Sequence, residues 1–206
     1  MHGFLKNRFY DTTRLIAVNG ESVVVRSGAD EVDKFMFRYP SNMALDVFHG
    51  HVSREIGEVT THLAGIALPT SVAIKPARIF RNPHTEINAV AQTQALLDLD
   101  LNAELTPKKL LQLTPADQRT DRTARDLERL VRGSKELREQ QGLYPDIANA
   151  GGNLRRNVSD GAVTLIDVMP FYQDGTRLIG SAPPNIISHV QQNLASYEAF
   201  VGQYGA

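Results

Sequence analysis

The chain has 206 residues, of which 42% are hydrophobic and 22% charged, a composition that folds and fits one large domain or two small lobes. Its 22 Lys and Arg stand against 23 Asp and Glu, which excludes a strongly basic nucleic-acid binder. There is no cysteine, so disulfides, thiolate zinc sites and a Cys nucleophile are excluded, and the six histidines form no HxxxH or HExxH pair. No apolar run approaches the roughly 18 residues of a membrane helix, and the N-terminus lacks the apolar core of a signal peptide. The sequence reads as a cytoplasmic protein.

In chain order, Leu15–Val18 and Ser22–Val25 flank Asn19-Gly20, a dipeptide that tolerates positive φ and predicts a β-hairpin. Ser27-Gly28-Ala29-Asp30 is a turn. The next strand, Glu31 to Tyr39, places Val32, Lys34, Met36 and Arg38 on one face and Asp33, Phe35 and Phe37 on the other. Pro40-Ser41-Asn42 starts a helix over Met43 to Ala64, with Leu45, Phe48, Val52, Ile56, Val59 and Leu63 at steps of three or four and Gly65 as its stop. Ser71 to Phe80 and Ile87 to Gln94 read as strands joined by Arg81-Asn82-Pro83-His84.

Residues 95–115 read as a connector. A mixed-charge helix follows to Gln141, with Leu127, Leu130, Val131, Ser134 and Leu137 as its apolar stripe and Gly142 as its end. Its charges read as a solvated face. Leu143 to Asn153 is a loop, and Asn153–Val158 and Ala162–Val168 are strands around Ser159-Asp160-Gly161. The last helix opens at Pro183-Pro184 and is expected to bury Ile187, Val190, Leu194, Tyr197 and Val201. Arg155 and Arg156 fall on opposite faces of a short strand, where a solvated edge is the plainer reading.

The chemically informative segment runs from Tyr144-Pro145-Asp146 through Gly151-Gly152-Asn153 to Val163-Thr164-Leu165-Ile166-Asp167. An Asp delivered by an apolar strand to a sheet edge can hold a divalent cation, and Asn adds a neutral oxygen to the same ion. A second Asp in the preceding loop can accept a proton from a hydroxyl. Each has a plainer reading beside it: Asp167 and Asp146 as turn caps, and Asn153 as a partner for loop backbone.

This segment resembles the catalytic loop, hairpin and metal-binding Asp of the protein-kinase-like superfamily, in the flavour of small bacterial aminoglycoside-phosphotransferase-like members. The resemblance implies an α+β, two-lobed fold with a minimal C-terminal lobe. Residues 1–95 would form an N-lobe-like antiparallel sheet with one helix, and 96–206 a connector and a reduced helical lobe. It implies ATP and Mg²⁺ as ligands, with Lys34 pairing the phosphates, Glu55 (or Glu58) as its partner acid, Asp146 as base, and Asn153 and Asp167 as metal ligands. Arg38 rivals Lys34 for the phosphate-pairing position. The implied activity is phosphoryl transfer to a small molecule. The alternative is an inactive pseudokinase-like module acting through a protein partner, in keeping with the absence of Gly-x-Gly-x-x-Gly. An α+β protein unrelated to kinases stands as a third reading. Neither a nucleic-acid nor a membrane partner is expected.

Overall fold

The computed structural model describes residues 15–18, 22–36, 42–78, 86–114, 118–148, 152–178 and 182–204. The Asn19-Gly20 turn and Arg38 lie outside them. The fold is α+β, with four helices and mainly antiparallel strand pairing among the described residues. The chain divides into two compact units. The first takes the described residues up to Arg54, Pro69–Leu96 and Leu178; the second takes Glu55–Leu68, Leu97–Arg177 and Ala182 onward.

The first unit is built on a five-stranded antiparallel sheet of β1 (Leu15–Val18), β2 (Ser22–Arg26), β3 (Glu31–Met36), β4 (Thr70–Arg78) and β5 (Glu86–Ala95), in the order β1-β2-β3-β5-β4. Pro76 sits on β4, an edge strand where a missing N–H costs no ladder bond. Register sets Val24, Lys34, Gln92 and Val72 in one cross-strand row and Val23, Phe35, Ala91 and Ala73 in the next, facing the opposite way. Val23, Phe35 and Ala91 of the second row belong to an apolar cluster with Ala77 and Ala89. Asp33, on that same face, is held by Lys75 Nζ at 2.7 Å and Thr93 Oγ1 at 2.7 Å. Both faces of β3 are therefore covered, which is why its sequence does not alternate cleanly.

Helix α1 (Leu45–His62) follows β3, starting two residues later than its periodicity predicts. Phe48, Val52, Ile56, Val59 and Leu63 are buried as expected, whereas Leu45 is half-buried. Gly65 takes φ +82°, a left-handed conformation suited to a chain reversal after a helix.

In the second unit the connector is not featureless. It carries β6 (Asn102–Glu104) and a one-turn helix α2 (Pro107–Leu110), which Thr106 caps by accepting from Lys109 N–H. Helix α3 (Gln118–Gln141) buries the whole expected stripe, and Gly142 at φ +68° ends it. Gly133 admits a close crossing: a Cβ there would stand 2.1 Å from the His62 carbonyl. The expected 143–153 loop begins with a short strand, β7 (Leu143–Tyr144), which pairs with β10 (Phe171–Tyr172). β8 (Leu154–Asn157) is central in a three-stranded sheet, between β6 and β9 (Val163–Leu165). Helix α4 (Ile186–Tyr204) buries Ile186, Val190, Tyr197 and Phe200. Its stripe is thus rotated from the expected one: Ile187, Leu194 and Val201 are only half-buried.

Candidate functional site

The β8–β9 hairpin positions the candidate oxygen ligands. Asn157 Oδ1 accepts the Ser159 N–H at 2.8 Å, Asp160 Oδ1 accepts the Ala162 N–H at 2.9 Å, and Gly161 at φ +79° closes the turn. Strand register then pairs Arg156 with Val163 and Leu154 with Leu165. One step further, the Ile166 N–H donates to the Asn153 carbonyl at 2.8 Å. Asn153 precedes β8 and Asp167 follows β9, so both stand at the open end of one hairpin, each half-buried. An amide oxygen and a carboxylate are hard donors that suit Mg²⁺, an ion that completes its shell with water and phosphate oxygens. Among the described residues no group of three His, Cys, Asp or Glu side chains could hold a metal.

Asp167 also works on its own backbone: its Oδ1 accepts the Met169 N–H at 3.2 Å. The Met169 carbonyl in turn accepts from Arg177 Nη2 at 3.0 Å, and the same nitrogen donates to Asp146 Oδ2 at 2.8 Å. A continuous chain of hydrogen bonds thus runs from Asp167 through Met169 and Arg177 to Asp146. The β7–β10 pair brings its ends together, because Tyr144 lies opposite Phe171. The Arg177 guanidinium sits over the Phe171 ring, 4.3 Å from its centroid. Asp146 is 2% exposed, so it is one side of a buried ion pair and not a solvated turn cap.

Glu55 is buried on α1 and accepts a hydrogen bond from the Tyr172 hydroxyl. Glu58, the other candidate, lies 3.8 Å from His62. Lys34 is half-buried on β3 in the first unit, in the row with Val24, Gln92 and Val72. The Ser27–Asp30 turn has its Ser27 and Gly28 N–H groups bound to the Glu31 carbonyl at 3.0 and 3.3 Å.

The arginine pair corrects the expectation of a solvated edge. Arg156 Nε donates to Thr123 Oγ1 on α3 at 2.8 Å, and Arg155 Nε to the Gly152 carbonyl at 2.9 Å. Both are half-buried clamps of the hairpin. Sequence reasoning missed Arg177 and Tyr172. The apolar Val168-Met169 and the aromatics at 171 and 172 were the available sign that the chain after Asp167 packs inward.

No model of a known protein family matches the chain, and no characterised protein is significantly similar to it.

Proposed function

We propose that the chain is a small kinase-like protein that binds ATP with Mg²⁺ and transfers phosphate to a small molecule. One observation carries this reading: Asn153 and Asp167 flank the same hairpin end, and hydrogen bonds through Met169 and Arg177 connect that end to Asp146. The order β3, α1, β4, β5, with Lys34 on β3, supports it. Mg²⁺ held by Asn153 and Asp167 would offset the charge of the phosphates, the main requirement of phosphoryl transfer. The resemblance assigns Lys34, in the first unit, to phosphate pairing and Glu55, anchored by Tyr172 in the second, to the partner-acid role. Asp146 accepts the proton of the attacking hydroxyl once Arg177 turns away from it.

A second reading is favoured by the Asp146–Arg177 pair itself. A carboxylate that is 3% exposed and ion-paired is poorly placed to meet a substrate hydroxyl. On this reading the chain binds nucleotide without turnover and acts through a partner protein.

Calorimetric titration of ATP with and without Mg²⁺ tests the common core. The wild type is expected to bind in a Mg²⁺-dependent way, and Asp167→Asn to lose that dependence. Equal binding by both proteins, or none by the wild type, overturns it. Turnover of ATP by the wild type then separates catalysis from binding alone.

A further inference from the structure

On the second unit, helices α3 and α4 leave a groove of about 360 Å³ between them. Its floor is apolar: Val131 of α3 is buried and Val201 of α4 half-buried. Its rim is exposed and carries the carboxylates of Glu128, Glu136 and Glu139 on α3 and of Glu198 on α4, against the cations of Arg132 and Lys135. Lys135 is engaged already, its Nζ lying 2.6 Å from Glu198 Oε1, and Glu139 pairs with Arg138 at 3.3 Å. Glu128 and Glu136 stand four residues to either side of Arg132, a spacing that permits ion pairs along a helix. Among the described residues, however, neither lies within ion-pair distance of a cation. Charges of this kind on bare helix surface mark only a solvated face. Here they border an open apolar floor, and that combination matches a ligand with one apolar and one cationic face.

We infer that this groove receives a basic amphipathic helix of a partner protein. The inference goes beyond the nucleotide reading and does not depend on it. An apolar ridge on the partner helix would enter over Val131 and Val201, and lysines or arginines beside the ridge would meet Glu128 and Glu136. From Glu128 to Glu139 the rim runs about 16 Å along α3, roughly three turns of a helix laid beside it. The volume is at the low end for a pocket that encloses a small molecule, and it suits a few side chains inserted along an open groove. The excess of carboxylates repels phosphate, which disfavours nucleic acid and an anionic lipid surface as occupants.

The probe is a fluorescein-labelled peptide of about 18 residues, or five helical turns, with leucine at steps of three and four and lysine elsewhere. It is added to the full chain without nucleotide and followed by anisotropy. The wild type is expected to bind it, less tightly as salt rises, and the methyl NMR signals of Val131 and Val201 are expected to shift. One control peptide has serine for leucine and keeps only the charge; another has glutamate for lysine and keeps only the ridge. Neither is expected to bind. Glu128→Lys with Glu136→Lys changes two exposed positions that the fold should tolerate, and it is expected to weaken the leucine–lysine peptide roughly tenfold. No binding by the wild type, equal binding of either control peptide, or methyl shifts that spare Val131 and Val201 overturns the inference, whatever the variant does. Undiminished binding by the variant overturns it too. A free chain that dimerises, and that the double substitution returns to a monomer, would assign the groove to a second copy and likewise overturn it.

Discussion

At the turn end of the β8–β9 hairpin, helix α3 reaches the loop with several side chains. Asp126 accepts the Val163 N–H at 3.0 Å, Thr123 donates to the Gly161 carbonyl at 2.8 Å, and Arg122 pairs with Asp160 at 2.7 Å. At the open end the strands close through the Ile166 N–H to Asn153 carbonyl bond, with Asn153 before one strand and Asp167 after the other. The first end is structural throughout. The second carries the groups with candidate chemistry. The contrast shows how a three-residue strand can be held in place: side chains from a helix anchor its far end, so the residues at the open end need not anchor it themselves. Substitutions at the two ends should therefore separate stability from binding.

The largest effect is expected at Gly161. A Cβ there would lie 2.0 Å from the Arg119 carbonyl, and the residue takes φ +79°. Gly161→Ala combines left-handed strain of roughly 1–2 kcal/mol with overpacking of about 1–3 kcal/mol. A loss of about 3 kcal/mol in urea unfolding is expected, with nucleotide binding falling only as far as the folded fraction falls. Next is Asp126→Ala, which leaves the Val163 N–H buried without its acceptor. It should cost about 1–3 kcal/mol, and Asp126→Asn less, because the amide oxygen still accepts.

The open end should behave in the opposite way. Asp167→Asn keeps an oxygen able to accept the Met169 N–H, so its stability should change by less than about 1 kcal/mol. Its Mg²⁺-dependent binding should nonetheless disappear. If Asp167→Asn instead destabilises as much as Asp126→Ala, with binding unchanged, both ends of the hairpin are structural and the contrast fails.

Much of this arrangement is legible in the sequence because it depends on local rules. The Asp160-Gly161 turn fixes the register, and counting back from it puts Asn153 next to Ile166. Helix α3 buries its predicted stripe because charges on its other faces leave one phase for the apolar residues. Helix α4 lacks that constraint. Its apolar residues fit two phases, and Ile186 and Phe200 win over Ile187 and Val201 through packing that the segment itself does not encode. β7 and β10 have two residues each, too short for any period to appear. Arg177 and Asp146 are 31 residues apart, and no local pattern foretells a buried pair across that separation.

The smallest expected effect lies away from both ends of the hairpin and serves as a control on their comparison. His62, in the last turn of α1, donates from Nδ1 to the Glu58 carbonyl at 2.9 Å and from Nε2 to Gln140 Oε1 at 3.2 Å. Partial burial works to lower its pKa. Those two acceptors and the carboxylates of Glu58 and Glu136 outweigh burial, so the net shift is upward from the usual value. Both ring nitrogens face oxygens, which only the doubly protonated imidazolium satisfies. A pKa higher in the folded than in the unfolded state stabilises the fold fully below the unfolded pKa, near 6.5. That contribution fades as pH rises through the folded value. Urea unfolding at pH 5.5 and pH 8 should therefore show a stability gap between wild type and His62→Gln that is larger at the lower pH. The same pH-dependent gap should appear in the Asp167→Asn background, because His62 touches neither end of the hairpin. A gap that widens with rising pH would reverse the sign assigned to His62. A gap altered by Asp167→Asn would mean that the open end is coupled to α1, and that its effects on binding cannot be read as local.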